Sequence, residues 1–129
     1  MNLYDIMYLD ISRDIIVSDG RRMTMDSGKP LTEAMYYILL SLLHPGHGYG
    51  MMGRIKELSG GRVVIGPGTL YGVLTRMREE GLIVLTGPEE ARRKTYAITD
   101  AGTKVLREEY LRLRHMVEDG RIIEEGHDE

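Results

Sequence analysis

The stretch from Gly66 to Leu82 limits this chain's fold more than any other, because it spells a helix with both ends marked. Pro67 suits a first helical position, where its fixed φ is already helical and its missing N–H has no partner to lose. Leu70, Val73, Leu74 and Met77 fall at i, i+3, i+4 and i+7 and share one face. Gly81 stands where a helix ends in a left-handed residue. The other face carries Thr69, Tyr71, Gly72, Thr75, Arg76 and Glu79. A solvated face would favour long charged side chains. Hydroxyls, one ring, one glycine and one arginine suit a helix that enters a DNA groove.

The flanking segments supply a frame for it. Leu31 to Leu43 reads as a helix capped by Thr32, with Glu33 in its first turn. Its apolar residues run all round, which implies burial on more than one side, one towards its own core and one towards a second subunit. His44-Pro45-Gly46 ends it. His47 to Ser59 gives a second helix with Tyr49, Met52, Ile55 and Leu58 as core candidates and Arg54, Lys56 and Glu57 towards water. Gly60-Gly61 stops that helix, and Arg62 to Ile65 reads as a small strand. Leu82 to Thr86 and Lys94 to Ile98 read as two strands joined by a polar tip with the basic cluster Arg92, Arg93 and Lys94. Thr99 with Asp100 caps a last helix, where Leu106, Tyr110, Leu113 and Val117 repeat at helix-pairing spacing. Three helices closed by a hairpin define a mainly α fold with a small β-hairpin wing, a winged helix-turn-helix followed by a C-terminal dimerisation helix. In that fold the third helix reads the major groove, and the hairpin tip touches backbone or minor groove.

Three divisions follow: an extension over residues 1–30, a DNA-binding domain over 31–99, and a dimerisation helix with an acidic tail over 100–129. Residues 1–30 scatter apolar side chains among aspartates without a sustained period. Two explanations stay open for them: a real extension, or a start assigned too early, with translation beginning at Met23 or Met25.

Charge speaks weakly for a nucleic-acid partner. The net charge is −3, but residues 61–98 hold six basic side chains against four acidic ones. Cysteine is absent, so neither a disulfide framework nor a thiolate metal site is expected. The apolar run from Tyr36 to Leu43 is too short to span a bilayer, and the N-terminus lacks the pattern of a signal peptide. A cytoplasmic protein without a membrane partner is the expectation.

Several motifs at their relative spacing resemble the PadR family of bacterial transcriptional regulators. They are Leu-Thr-Glu-Ala-Met-Tyr-Tyr-Ile-Leu-Leu-Ser-Leu-Leu (31–43), His-Gly-Tyr-Gly (47–50), Gly-Pro-Gly-Thr-Leu-Tyr (66–71), Glu-Glu-Gly-Leu-Ile (79–83), Arg-Arg-Lys-Thr-Tyr (92–96) and Thr-Asp-Ala-Gly (99–102). The resemblance covers roughly residues 31–117. It implies a homodimeric winged-helix repressor whose C-terminal helix packs against the first helix of the other subunit, in the short form with one dimerisation helix. It leaves the effector open.

The residues expected at double-stranded DNA, a pseudo-palindromic operator, are Tyr49, Pro67, Gly68, Thr69, Tyr71, Thr75, Arg76, Arg92, Arg93 and Lys94. Hydroxyls suit phosphate oxygens, and Arg76 suits guanine O6 and N7. The dimer seam is expected at Met35, Ile38, Leu39, Leu106, Tyr110, Leu113 and Val117. Met35, Tyr36 and Tyr37 with that seam form a candidate cavity for a small aromatic effector, against plain dimer packing. Gly48 to Gly53 spells G-x-G-x-x-G, but a dinucleotide site needs a preceding strand and an acidic residue about 20 positions on. Tight packing between helices explains these glycines better, and no cofactor is expected. His44 and His47 are too few to hold a metal. No catalytic arrangement is visible, so the chain does not read as an enzyme. Rival readings are a winged-helix module that binds protein rather than DNA, favoured by net acidity and Glu79-Glu80, and a nucleotide-binding enzyme.

Overall fold

The first helix opens where Thr32 accepts a hydrogen bond from the Met35 N–H at 3.1 Å, the cap expected from the sequence. The structure is a computed structural model, and residues 30–88 and 92–126 are described. The expectations for residues 1–29, for Glu89 and Glu90 at the hairpin tip, and for the last three residues of the tail lie outside the described residues. Two units divide the chain: residues 31–106 form one, and the described residues from Arg107 onward belong to the other.

In the first unit the order is α1 (Glu33–Ser41), β1 (Gly46–His47), α2 (Gly48–Leu58), α3 (Pro67–Glu79), β2 (Ile83–Thr86) and β3 (Thr95–Ile98). Helix α4 (Asp100–Asp119) begins there and runs on into the second unit, followed by a 3-10 turn at Gly120–Ile123. The sheet has three antiparallel strands in the order β1-β3-β2. Tyr96 pairs with Gly46 and with Leu85. The expected strand at Arg62–Ile65 is not one, because β1 takes the sheet edge instead. The segment still runs in and out: Val63 and Ile65 are buried while Val64 is 72% exposed.

Helix ends follow the glycines. At the end of α2, Gly60 and Gly61 have φ of 63° and 85°. Their N–H groups reach Glu57 and Lys56 carbonyls. Gly81, with φ 79°, ends α3 in the same way, and Leu82 N–H donates to the Met77 carbonyl at 2.9 Å. Thr99 joins this corner to α4. Its Oγ1 donates to the Gly81 carbonyl at 2.7 Å and accepts from Gly102 N–H at 3.0 Å.

The core gathers Ile38, Leu39, Leu42, Met51, Ile55, Leu70, Leu74, Met77 and Ile83, all fully buried. Burying side chains of this size contributes roughly 1.5–3 kcal/mol each. Three expectations need correction. Helix α2 turns Gly48, Met51 and Ile55 inward, so Tyr49 (78% exposed) and Leu58 (51%) are not core residues. Arg54 is half-buried rather than fully in water: its guanidinium donates to the carbonyls of Ser41 and His44 and ties down the turn after α1. Met35, Ile38, Leu39 and Leu106 lie in the core of the chain itself. Surface already covered there, down to 0% exposure for Ile38 and Leu39, is not available to a second copy.

Candidate nucleic-acid interface

Helix α3 presents the outer face read from the sequence. Thr69, Tyr71, Gly72, Thr75, Arg76 and Glu79 are exposed, while Leu70, Leu74 and Met77 hold the helix to the core. Pro67 is its first residue after an N-cap at Gly66, and Gly68 leaves the N-terminal backbone uncovered. No side chain caps this end, so its free N–H groups and the positive end of the helix dipole face outward.

Two groups on this face are already engaged. Thr75 Oγ1 donates to the Tyr71 carbonyl at 2.9 Å. With its proton committed, Thr75 offers the groove a methyl group and a lone pair rather than a donor to phosphate, which revises the role expected for its hydroxyl. Arg76 Nε donates to Glu80 Oε2 at 3.1 Å across one helical turn. Both partners are exposed, and breaking such a pair costs at most about 0.5 kcal/mol, so the guanidinium remains available to a base.

Tyr71 does more than face outward. Its hydroxyl lies over Gly48, where an added Cβ would stand 2.5 Å from the phenol oxygen. A side chain at 48 would have to push this ring aside, and the ring links α3 to the start of α2. Tyr96 on β3 sits nearby. Burial is the main cause that holds its phenol above the ordinary tyrosine range, and Tyr71 adds to this while Arg78 opposes it.

At the same place α2 begins. Its N-cap is His47, whose Nδ1 accepts from Gly50 N–H at 3.0 Å. A cleft of about 390 Å³ opens there, lined by His47, Gly48, Tyr49, Tyr71, Arg92, Arg93 and Lys94. The structure thus brings five of the expected DNA residues into one concavity. Thr69, Thr75 and Arg76 lie outside its lining, on the exposed face of α3. Sequence reading missed His47 as part of it. Histidine is not among the usual capping residues, so no sequence signal marked it.

Elsewhere, Arg62 does not add a free charge to the basic region. It donates to Glu33 at 2.8 Å and to the Tyr37 hydroxyl at 3.0 Å, and the Glu33 bond is the main cause that raises its pKa. Tyr36 and Tyr37 meet edge to face at 5.8 Å. The glycines of G-x-G-x-x-G all lie within α2, under Tyr71, under His47 and against open space. Among the described residues, no helix is long and apolar enough to cross a membrane.

Three helices, a three-stranded sheet and an extended β2–β3 hairpin define a winged helix-turn-helix. The profile of the transcriptional regulator PadR-like family matches residues 38–108, more than half of the chain, and the chain belongs to that family. A PadR-like transcription factor from Bacteroides fragilis has a similar structure, with a TM-score of 0.59 and 26% identity over 78% of this chain and 94% of the other. Bacillus subtilis PadR, solved in complex with operator DNA, gives a TM-score of 0.53 at 25% identity over 61% of this chain and 47% of its own. An uncharacterised 37.1 kDa protein in transposon Tn4556 of Streptomyces fradiae is 33% identical over 93 residues, 71% of this chain. The chain spans about a quarter (26%) of the length of that curated relative.

Proposed function

We propose that this chain is a DNA-binding transcriptional regulator that grips a pseudo-palindromic operator as a dimer and represses by occluding polymerase. The observation that carries the reading is the cationic cleft beside α3, where Tyr49, Tyr71 and the wing residues Arg92, Arg93 and Lys94 converge. Such a cleft suits phosphate, and the adjoining exposed face of α3 suits base edges. The complex of Bacillus subtilis PadR with operator DNA supports the same use of the fold. Pairing of two chains through Tyr110, Leu113 and Val117 on α4 would set two α3 helices against successive major grooves. Release follows from a small aromatic effector or another signal that changes the spacing of those helices, with Tyr36 and Tyr37 as its candidate wall.

The test is a gel shift with the protein's own upstream DNA over a range of salt. A specific complex whose affinity falls steeply with salt is expected. Binding no stronger than to unrelated DNA, or none at all, would overturn the reading in favour of a protein-interaction module.

A further inference from the structure

We infer that His47 is a DNA-phosphate donor whose tautomer is fixed by the helix it caps. The inference rests on the DNA-binding reading above and names a contact that this reading leaves out.

The argument begins with the cap. Gly50 N–H donates to His47 Nδ1 at 3.0 Å, so Nδ1 carries a lone pair and the proton of the neutral ring sits on Nε2. Gly50 makes this geometry feasible. A Cβ there would stand 3.1 Å from the imidazole Cε1 and 3.6 Å from Nε2, so the bare backbone lets the ring lie on the first turn of α2. Among the described residues Nε2–H meets no protein acceptor. The ring lines the cleft that Tyr49, Tyr71, Arg92, Arg93 and Lys94 also line.

The chemistry of the cleft suits this division of labour. Three cations and the positive end of α2 already attract an anion. A further cation would add repulsion when the cleft is empty. An aspartate cap would place a negative charge where phosphate is to sit. A serine cap would satisfy the helix but stop short of the Nε2 position. Histidine caps with one nitrogen and donates with the other. The ligand chemistry is a backbone phosphate oxygen, so the contact is independent of base sequence.

The experiment uses the full chain and a short fluorescein-labelled duplex of arbitrary sequence, with anisotropy read across a salt series. His47→Ser keeps the wild-type melting temperature because serine restores the cap, whereas His47→Ala lowers it. Both bind the duplex about five- to tenfold more weakly. The slope of log affinity against log salt stays at the wild-type value in His47→Ser, since a ring whose Nδ1 accepts from Gly50 N–H carries no charge with which to displace a counterion. Arg93→Ala lowers that slope by about 0.9. In the wild-type chain, long-range nitrogen–proton NMR correlations show the Nε2–H tautomer, and added duplex slows exchange of that proton. Wild-type affinity in His47→Ser, a slope change equal to that of Arg93→Ala, or an Nδ1–H tautomer each overturn the inference. Weakened binding by Arg93→Ala beside unchanged binding by His47→Ser sinks this contact alone. No duplex binding by the wild-type chain sinks the DNA reading and this contact with it.

Discussion

Arg76 and Thr75 show how a residue's free groups decide its role. Arg76 keeps most of its fork of donors, because only Nε is held by Glu80. A bidentate pair with guanine is worth about 1–3 kcal/mol of discrimination. Arg76→Lys therefore keeps the positive charge but should lose sequence preference, which competition between operator and scrambled duplex will measure. Tyr96 makes a separate prediction about pH. Its phenol is held above the ordinary range, mainly by burial, so the folded state keeps this proton more tightly than the unfolded chain does. Its contribution is fully present below the ordinary phenol pKa and is lost as pH rises through that value towards the folded one. Denaturant titrations across the alkaline range should show stability falling in wild type and a flatter limb in Tyr96→Phe.

At the scale of elements, three glycines separate packing from surface. Gly102 starts α4 against the Leu82 carbonyl, where a Cβ would fall 2.1 Å from backbone oxygen. Backbone cannot yield as a side chain tip can, so Gly102→Ala should cost about 2 kcal/mol or more in urea unfolding. Gly72, in the middle of α3, has open space above it, and Gly72→Ala should gain about 0.5–1 kcal/mol of helix stability. On the proposed DNA-binding reading the same methyl would stand on the face turned to the groove, so operator affinity should drop while stability rises. Gly48 stands between the two cases, since the ring that blocks its Cβ belongs to the candidate site itself. Much of this was legible in the sequence, because α3 has its proline, its apolar stripe and its terminal glycine in register. Helix α2 was harder. Met51 and Met52 offer two apolar stripes about 100° apart, and the packed core takes Met51 with Gly48 and Ile55, which leaves Tyr49 outside. The segment Arg62–Ile65 is not a strand because β-branched residues alone do not supply a pairing partner; the short Gly46–His47 segment has no strand pattern yet meets β3.

For the whole molecule, the question is how a chain of net charge −3 holds a polyanion. Arg62 is paired to Glu33, Arg112 to Glu109, and Arg121 to Glu118. These cations neutralise carboxylates along the chain, and Arg92, Arg93 and Lys94 are gathered at one cleft. Local concentration of charge, rather than its sum, sets the potential a phosphate meets. A monomer with so small a basic patch would bind weakly, and the proposed pairing would double the phosphates contacted. The exposed stripe on α4 is the surface proposed for that pairing: Tyr110 is 50% exposed and Val117 69%. Apolar side chains left open at helix-pairing spacing favour association, and a charge placed among them opposes it. Val117→Glu should therefore shift the chain to monomers in sedimentation at micromolar concentration without lowering its melting of the residues 31–106 unit. Its salt slope on operator DNA should fall to about half that of wild type, as each binding event then engages one cleft instead of two. A Val117→Glu chain that stays dimeric would move the seam elsewhere. One that is monomeric yet binds with the full slope would place all the phosphate contacts within a single chain.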